Sequence, residues 1–119
     1  MAEKRKFMRF EAALDVIYSI LGNSASKTKS YLKNLSKEGL GLIGNRPLQR
    51  GSFVELEMKI PGDNIPIFAF GEVAWANETD KSKYDTGIKF TKIKNQDRVR
   101  LLDYVYDQWV KIKKENLKD

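Results

Sequence analysis

Hydrophobic and polar positions alternate most strictly between residues 53 and 60. Val54, Leu56, Met58 and Ile60 fall on one face of an extended strand, and Phe53, Glu55, Glu57 and Lys59 on the other. A period of two makes one face buried and the other wet. Residues 12–20 alternate in the same way, as a mostly apolar strand with Ala12, Leu14, Val16, Tyr18 and Ile20 on one side. Gly22-Asn23 and the polar run to Lys29 read as a loop. Two short runs follow, 30–35 and 39–43, separated by a bend at Ser36-Lys37-Glu38-Gly39; Gly44-Asn45-Arg46-Pro47 makes a second turn. Pro61-Gly62-Asp63-Asn64 is a further turn signal. Beyond it, 66–76 reads as a strand carrying Phe68, Phe70, Val73 and Trp75, and 77–82 as a polar loop. Tyr84, Thr86, Ile88 and Phe90 form one side of a last strand.

After Thr91 the period changes. Val99, Leu102, Val105, Tyr106, Trp109 and Ile112 recur every three or four residues, so 96–114 reads as one amphipathic helix with Asn95 as its N-cap. Asp97 in the first turn and Lys111, Lys113 and Lys114 in the last suit the helix dipole. About six short strands followed by one helix predict a mainly β fold, a closed or nearly closed antiparallel barrel with a C-terminal helix against it. Trp75 and Trp109 take positions that fit its core. A chain of 119 residues has room for one domain. The expected division is a flexible basic arm over 1–10 and a single domain of barrel plus helix over 11–119.

Composition then removes whole classes of chemistry. The chain has no cysteine and no histidine, which excludes disulfides, thiolate chemistry, zinc fingers and imidazole catalysis. Asp15, Glu72 and Asp85 show no paired arrangement for acid–base work, so neither an enzyme nor a metal or other cofactor is expected. Residues 1–10 are charged from the third onward and lack the apolar run of a secretory signal. No stretch approaches the ~18 apolar residues that span a bilayer, and a soluble cytoplasmic protein is the expectation. The net charge of +6 favours an anionic partner, although 22 basic and 16 acidic residues largely describe a mixed, solvated surface.

Two Arg-x-x-x-Arg pairs occur, Arg5 with Arg9 and Arg46 with Arg50. Either pair alone is compatible with a solvated surface. Arg46 and Arg50 flank Pro47 in a turn, where exposed charge is ordinary, whereas Arg5 and Arg9 sit on the terminal arm. Asn34-Leu35-Ser36-Lys37-Glu38-Gly39 is equally open to two readings. As bend material, Gly39 supplies a positive φ. As a ligand site, the Asn34 amide and Ser36 hydroxyl present hydrogen-bonding groups, and Gly39 lets the backbone approach closely.

Taken in order, these segments resemble the PilZ domain family. Arg5-Lys6-Phe7-Met8-Arg9 matches its RxxxR motif, with Lys4 where the family often has another basic residue, and 34–39 matches its [D/N]xSxxG motif. Gly71-Glu72-Val73-Ala74-Trp75 and Gly87-Ile88-Lys89-Phe90 are also similar to family segments, so the resemblance runs from about Lys4 to Phe90. It implies a six-stranded antiparallel PilZ-type β-barrel with a C-terminal α-helix. It also implies a second-messenger receptor that binds cyclic di-GMP between the arm and the second motif, the arm closing over the ligand. On that reading Arg5, Arg9, Asn34, Ser36, Gly39 and Lys4 bind ligand, and the downstream protein partner is unidentified. Guanine offers O6 and N7 as paired acceptors for a guanidinium fork, and arginine also stacks on purines. Asn34 stands where the family more often has Asp, a neutral acceptor in place of a charged one. The pair at Arg46 and Arg50 falls after the second motif and does not fit the pattern. Two rival readings are a small basic barrel for nucleic acid, for which no RNP-like aromatic sequence is present and which is not expected, and a PilZ-like docking module without ligand.

Overall fold

The computed structural model describes residues 14–79 and 82–117. Six strands precede one helix: β1 (Asp15–Ile20), β2 (Asn23–Leu35), β3 (Gly39–Gly44), β4 (Phe53–Met58), β5 (Ile67–Glu78), β6 (Tyr84–Ile93) and α1 (Asn95–Leu117). Every strand pairing is antiparallel, and the barrel closes in the order β1-β2-β3-β6-β5-β4. Closure leaves no free sheet edge. The alternating positions read from the sequence supply the interior: Val16 and Tyr18, Val54, Leu56 and Met58, and Ile88 and Phe90 are all buried, and Leu40 and Leu42 from the short run at 39–43 join them. Each fully buried aliphatic side chain contributes about 1.5–3 kcal/mol. Ser30 is the polar exception on β2, and its hydroxyl donates to the Val16 carbonyl at 3.0 Å, which satisfies it inside the wall.

Three local expectations change. Residues 23–29 belong to β2 rather than to a loop, with Lys29 opposite Ile17 and Thr28 opposite Tyr18. Their side chains are nearly all polar, so hydropathy conceals a strand whose order comes from backbone pairing. Ser26 adds a clamp there, accepting from the Ile20 N–H at 2.8 Å and donating to the Asn23 carbonyl at 2.6 Å. On α1 the buried positions are Leu101 and Val105, while Val99 and Tyr106 stand half exposed. The helix is thus rotated from the orientation its periodicity suggested. Its second turn is tied to the β4–β5 turn by Arg100, which donates to Asp63 Oδ2 at 2.7 Å and to the Ile65 carbonyl at 2.6 Å. The Arg98 N–H bonds the Lys94 carbonyl at 3.0 Å, so Lys94 holds the N-cap position and Asn95 is the first helical residue. Among the described residues no helix is long and apolar enough to cross a membrane.

Candidate functional site

The segment 34–39 is the end of the β2–β3 hairpin. The Ser36 N–H donates to the Gly39 carbonyl at 2.9 Å, and the Phe90 N–H donates to the Glu38 carbonyl at 2.9 Å, which ties the turn to β6. The Ser36 hydroxyl is only loosely spent, at 3.4 Å from the Gly39 carbonyl. Gly39 is absent from the residues with positive φ. Its need for a bare Cα is steric instead, because a Cβ there would collide with the Ile88 carbonyl oxygen. Of the two roles open to Gly39, close backbone approach is the one the fold uses.

Two bulges build the cleft beside this turn. In β2 the register against β3 shifts between Leu32 and Asn34. Leu32 and Leu35 both stay buried, so the extra residue turns Lys33 and Asn34 outward together. Lys33 reaches over β3 to Asp85 on β6 at 2.7 Å. Asn34 lies over Gly41, where a Cβ would stand 2.8 Å from Asn34 Oδ1. In β5 a matching shift between Val73 and Trp75 turns Ala74 and Trp75 outward. The Trp75 indole covers Gly87 so closely that a Cβ on Gly87 would overlap the ring. Trp75 is therefore not a core residue, as its strand position suggested, but an outer-face ring with 37% of its surface exposed.

The register aligns these residues into one row across four strands: Asn34 opposite Gly41, Gly41 opposite Gly87, Gly87 opposite Trp75. Three inter-strand steps of about 4.8 Å separate the ends, roughly 14 Å of backbone. Two glycines form the floor, an amide closes one end and an indole the other. The resulting cleft, about 140 Å³, is also lined by Ser36, Gly39 and Lys89. Its chemistry is that of recognition: an amide that donates and accepts, a hydroxyl, an aromatic face and an ammonium.

Sharing Ala74 and Lys89 with this cleft is a second depression that includes Arg50 and Glu72. The Gly51 N–H donates to the Val73 carbonyl at 2.8 Å, and the Val73 N–H donates to the Ser52 carbonyl at 2.9 Å. These bonds clip the Arg50 loop against β5. The structure thus splits the Arg46–Arg50 pair. Burial pushes the Tyr18 phenol up, opposed first by its hydrogen bond with Thr28 and then by the charge of Arg46. Arg50 sits beside the cleft, a position its place after the second motif did not reveal. Of the residues singled out from sequence, Asn34, Ser36 and Gly39 come together, while Lys4, Arg5 and Arg9 lie outside the described residues. Trp75, Gly87 and Lys89 join them. The segments holding these three were noted as family-like, but only the paired register shows that they share a row.

This barrel and its motifs are those of a known class. The PilZ domain matches residues 3–107, and the chain belongs to that family. Its six-stranded antiparallel barrel with a C-terminal helix is the architecture of solved PilZ structures. The Bacillus subtilis inhibitor of motility MotI/DgrA superposes with a TM-score of 0.74 at 18% identity, over 92% of this chain and 53% of that one. The PilZ domain of YcgR from Escherichia coli, solved with c-di-GMP, gives 0.71 at 15% identity, over 98% and 99% of the two chains. The K. pneumonia MrkH–c-di-GMP complex gives 0.70 at 15%, over 96% and 55%. The chain thus spans about half the length of MotI/DgrA and of MrkH, and at these identities the likeness is one of fold. No curated protein matches the chain in sequence.

Proposed function

We propose that the chain is a receptor for cyclic di-GMP that signals by binding rather than by catalysis. The observation that carries this reading is the row Asn34–Gly41–Gly87–Trp75, an open polar cleft beside Lys89 and Arg50 in a member of the PilZ family. A volume of about 140 Å³ is below the ~300–1,000 Å³ of a closed small-molecule site, so a dinucleotide needs a second wall. The arm over 1–10, with Lys4, Arg5 and Arg9, supplies one. On this reading Arg5 and Arg9 meet guanine O6 and N7 and the ligand's phosphates, and Lys4 adds charge. Asn34 accepts from a guanine N–H, and Ser36 bonds a phosphate or base edge. Gly39 allows close approach, and Trp75 offers a stacking face worth about 1–3 kcal/mol per base. On this reading the arm closes over the ligand, which presents a new surface to a downstream protein.

Calorimetric titration of cyclic di-GMP into the wild type, Arg5→Ala and Arg46→Ala tests this. A lost charge-assisted contact costs about 1.5–3 kcal/mol, so Arg5→Ala is expected to weaken binding roughly ten- to a hundredfold, while Arg46→Ala stays within about twofold. A wild-type protein that ignores the dinucleotide at high micromolar concentration removes the proposal and leaves a docking module without ligand.

A further inference from the structure

Arg50 is a charge held in place by the backbone. It takes the second place of the turn 49–52, which the Ser52 N–H closes on the Gln49 carbonyl at 3.1 Å. Gly51 follows with a φ of 90°, the left-handed third place that a type II turn requires. Buried Leu48 anchors the loop before the turn, and the bonds between Gly51, Ser52 and Val73 clip it to β5. Arg50 thus stands on a pinned corner, not on a loose tip. Lys89 comes from β6, where the register sets it between Gly39 and Glu72. Arg50, Lys89 and Glu72 line one depression of about 230 Å³. Among the described residues, none of the three is in an ion pair.

Two cations beside one carboxylate leave a single positive charge over, which an anion offsets. That balance suits a phosphodiester, with its one negative charge, better than a phosphomonoester, which carries about 1.5–2 at pH 7. The depression is continuous with the cleft, since Ala74 and Lys89 line both. The β5 bulge that turns Trp75 outward also sets Ala74 at the junction, and a methyl group leaves the passage open. Lys89 lies two residues along β6 from Gly87, about 7 Å at the rise of a strand. An anion held there is within one nucleotide of a base on the exposed Trp75 ring. We propose that Arg50 and Lys89 form an anion subsite that holds one phosphodiester of the bound dinucleotide. Arg50 meets it with a two-pronged guanidinium and Lys89 with a point charge. This subsite presupposes cyclic di-GMP binding and adds two residues outside both sequence motifs.

The test is calorimetric titration of cyclic di-GMP into the full chain at salt concentrations from about 50 to 200 mM. Arg50→Ala is expected to weaken binding about tenfold or more. It should also make the slope of log affinity against log salt shallower by about one, the mark of one lost phosphate contact. Arg50→Lys keeps the charge and loses the fork, so its slope should match the wild type while its affinity falls by less. Glu72→Gln removes the opposing carboxylate and should tighten binding. Arg46→Ala is the control. Arg50 makes no described side-chain bond, so Arg50→Ala should keep the wild-type unfolding midpoint; if it does not, Lys89→Gln, with the same expected loss of slope, decides the matter. A wild type that ignores the dinucleotide removes the receptor reading and this subsite with it. A wild type that binds, with Arg50→Ala equal to it in affinity and slope, overturns the subsite alone. So does a loss of affinity at unchanged slope, which would make Arg50 a structural residue. Weaker binding by Glu72→Gln, or an equal loss in Arg46→Ala, overturns it too.

Discussion

Gly87 carries no side chain because the Trp75 ring occupies the place where one would go. Gly41 stands in the same relation to the Asn34 amide. Such glycines cannot be told from flexible ones in a sequence, since their role depends on what the neighbouring strand lays over them. Gly87→Ala is therefore expected to force the indole off the sheet and to cost about 1–3 kcal/mol, the range for overpacking, seen as a lower midpoint in thermal unfolding. Adding Trp75→Ala should recover most of that loss, because the obstacle is gone, and a double-mutant cycle measures the coupling. Additive effects would mean that the two residues do not meet. Asn34 and Ser36 were open to a bend reading as well as a ligand one, since both are ordinary bend residues, and only the resemblance to the [D/N]xSxxG motif singled them out. Trp75 read as core because a tryptophan on an alternating strand ordinarily packs inward.

Element by element, the strands with apolar–polar alternation are where the sequence placed them, and the departures have local causes. The first half of β2 is nearly all polar, so its membership rests on pairing with β1, which composition does not encode. The bulges before Asn34 and Trp75 reverse the facing of the residues after them, and a period-two reading has no means of seeing an inserted residue. For α1, a 3.6-residue period suits more than one buried stripe, and the attachment at Arg100 goes with the one observed. That attachment is sensitive to acid. The Ile65 N–H, at 3.0 Å, and then the Arg100 guanidinium hold the Asp63 carboxyl below its ordinary range. A depressed carboxyl stabilises the fold fully above its unfolded pKa of about 4, and that contribution is lost as pH falls through the lower folded value. Denaturant unfolding of wild type and Asp63→Asn should show a gap that is constant from about pH 7 to pH 5 and narrows below about pH 4. A gap that widens in acid would contradict the attachment.

For the whole molecule, the charge balance separates the proposed ligand from its rival, nucleic acid. Cyclic di-GMP, the proposed ligand, has two phosphates, so its binding would release few counterions. The logarithm of its affinity should fall against the logarithm of salt with a slope no steeper than about −2. A nucleic acid spanning 6–10 phosphates would give a much steeper slope and a loss of about 10³–10⁵ between 50 and 200 mM salt. Titrations of the dinucleotide and of a single-stranded oligonucleotide across that range separate the two. A flat, weak oligonucleotide response beside a shallow dinucleotide slope is the expected pair of results.

What the amino-acid order determined by itself is the alphabet of elements, the identity of most inward positions and the two motifs, because these depend on neighbours within a few residues. Hydrophobic period, turn chemistry and the spacing of Arg5, Arg9, Asn34, Ser36 and Gly39 are all local. Barrel closure decided the rest. It set Asn34, Gly41, Gly87 and Trp75 in one row although they span 42 residues of sequence, from 34 to 75. It brought Arg50 to the cleft's side and gathered Phe53, Phe68 and Phe70 on another wall. Which side chains meet across strands depends on register and on single-residue bulges, and those are settled only when every strand has found both its partners.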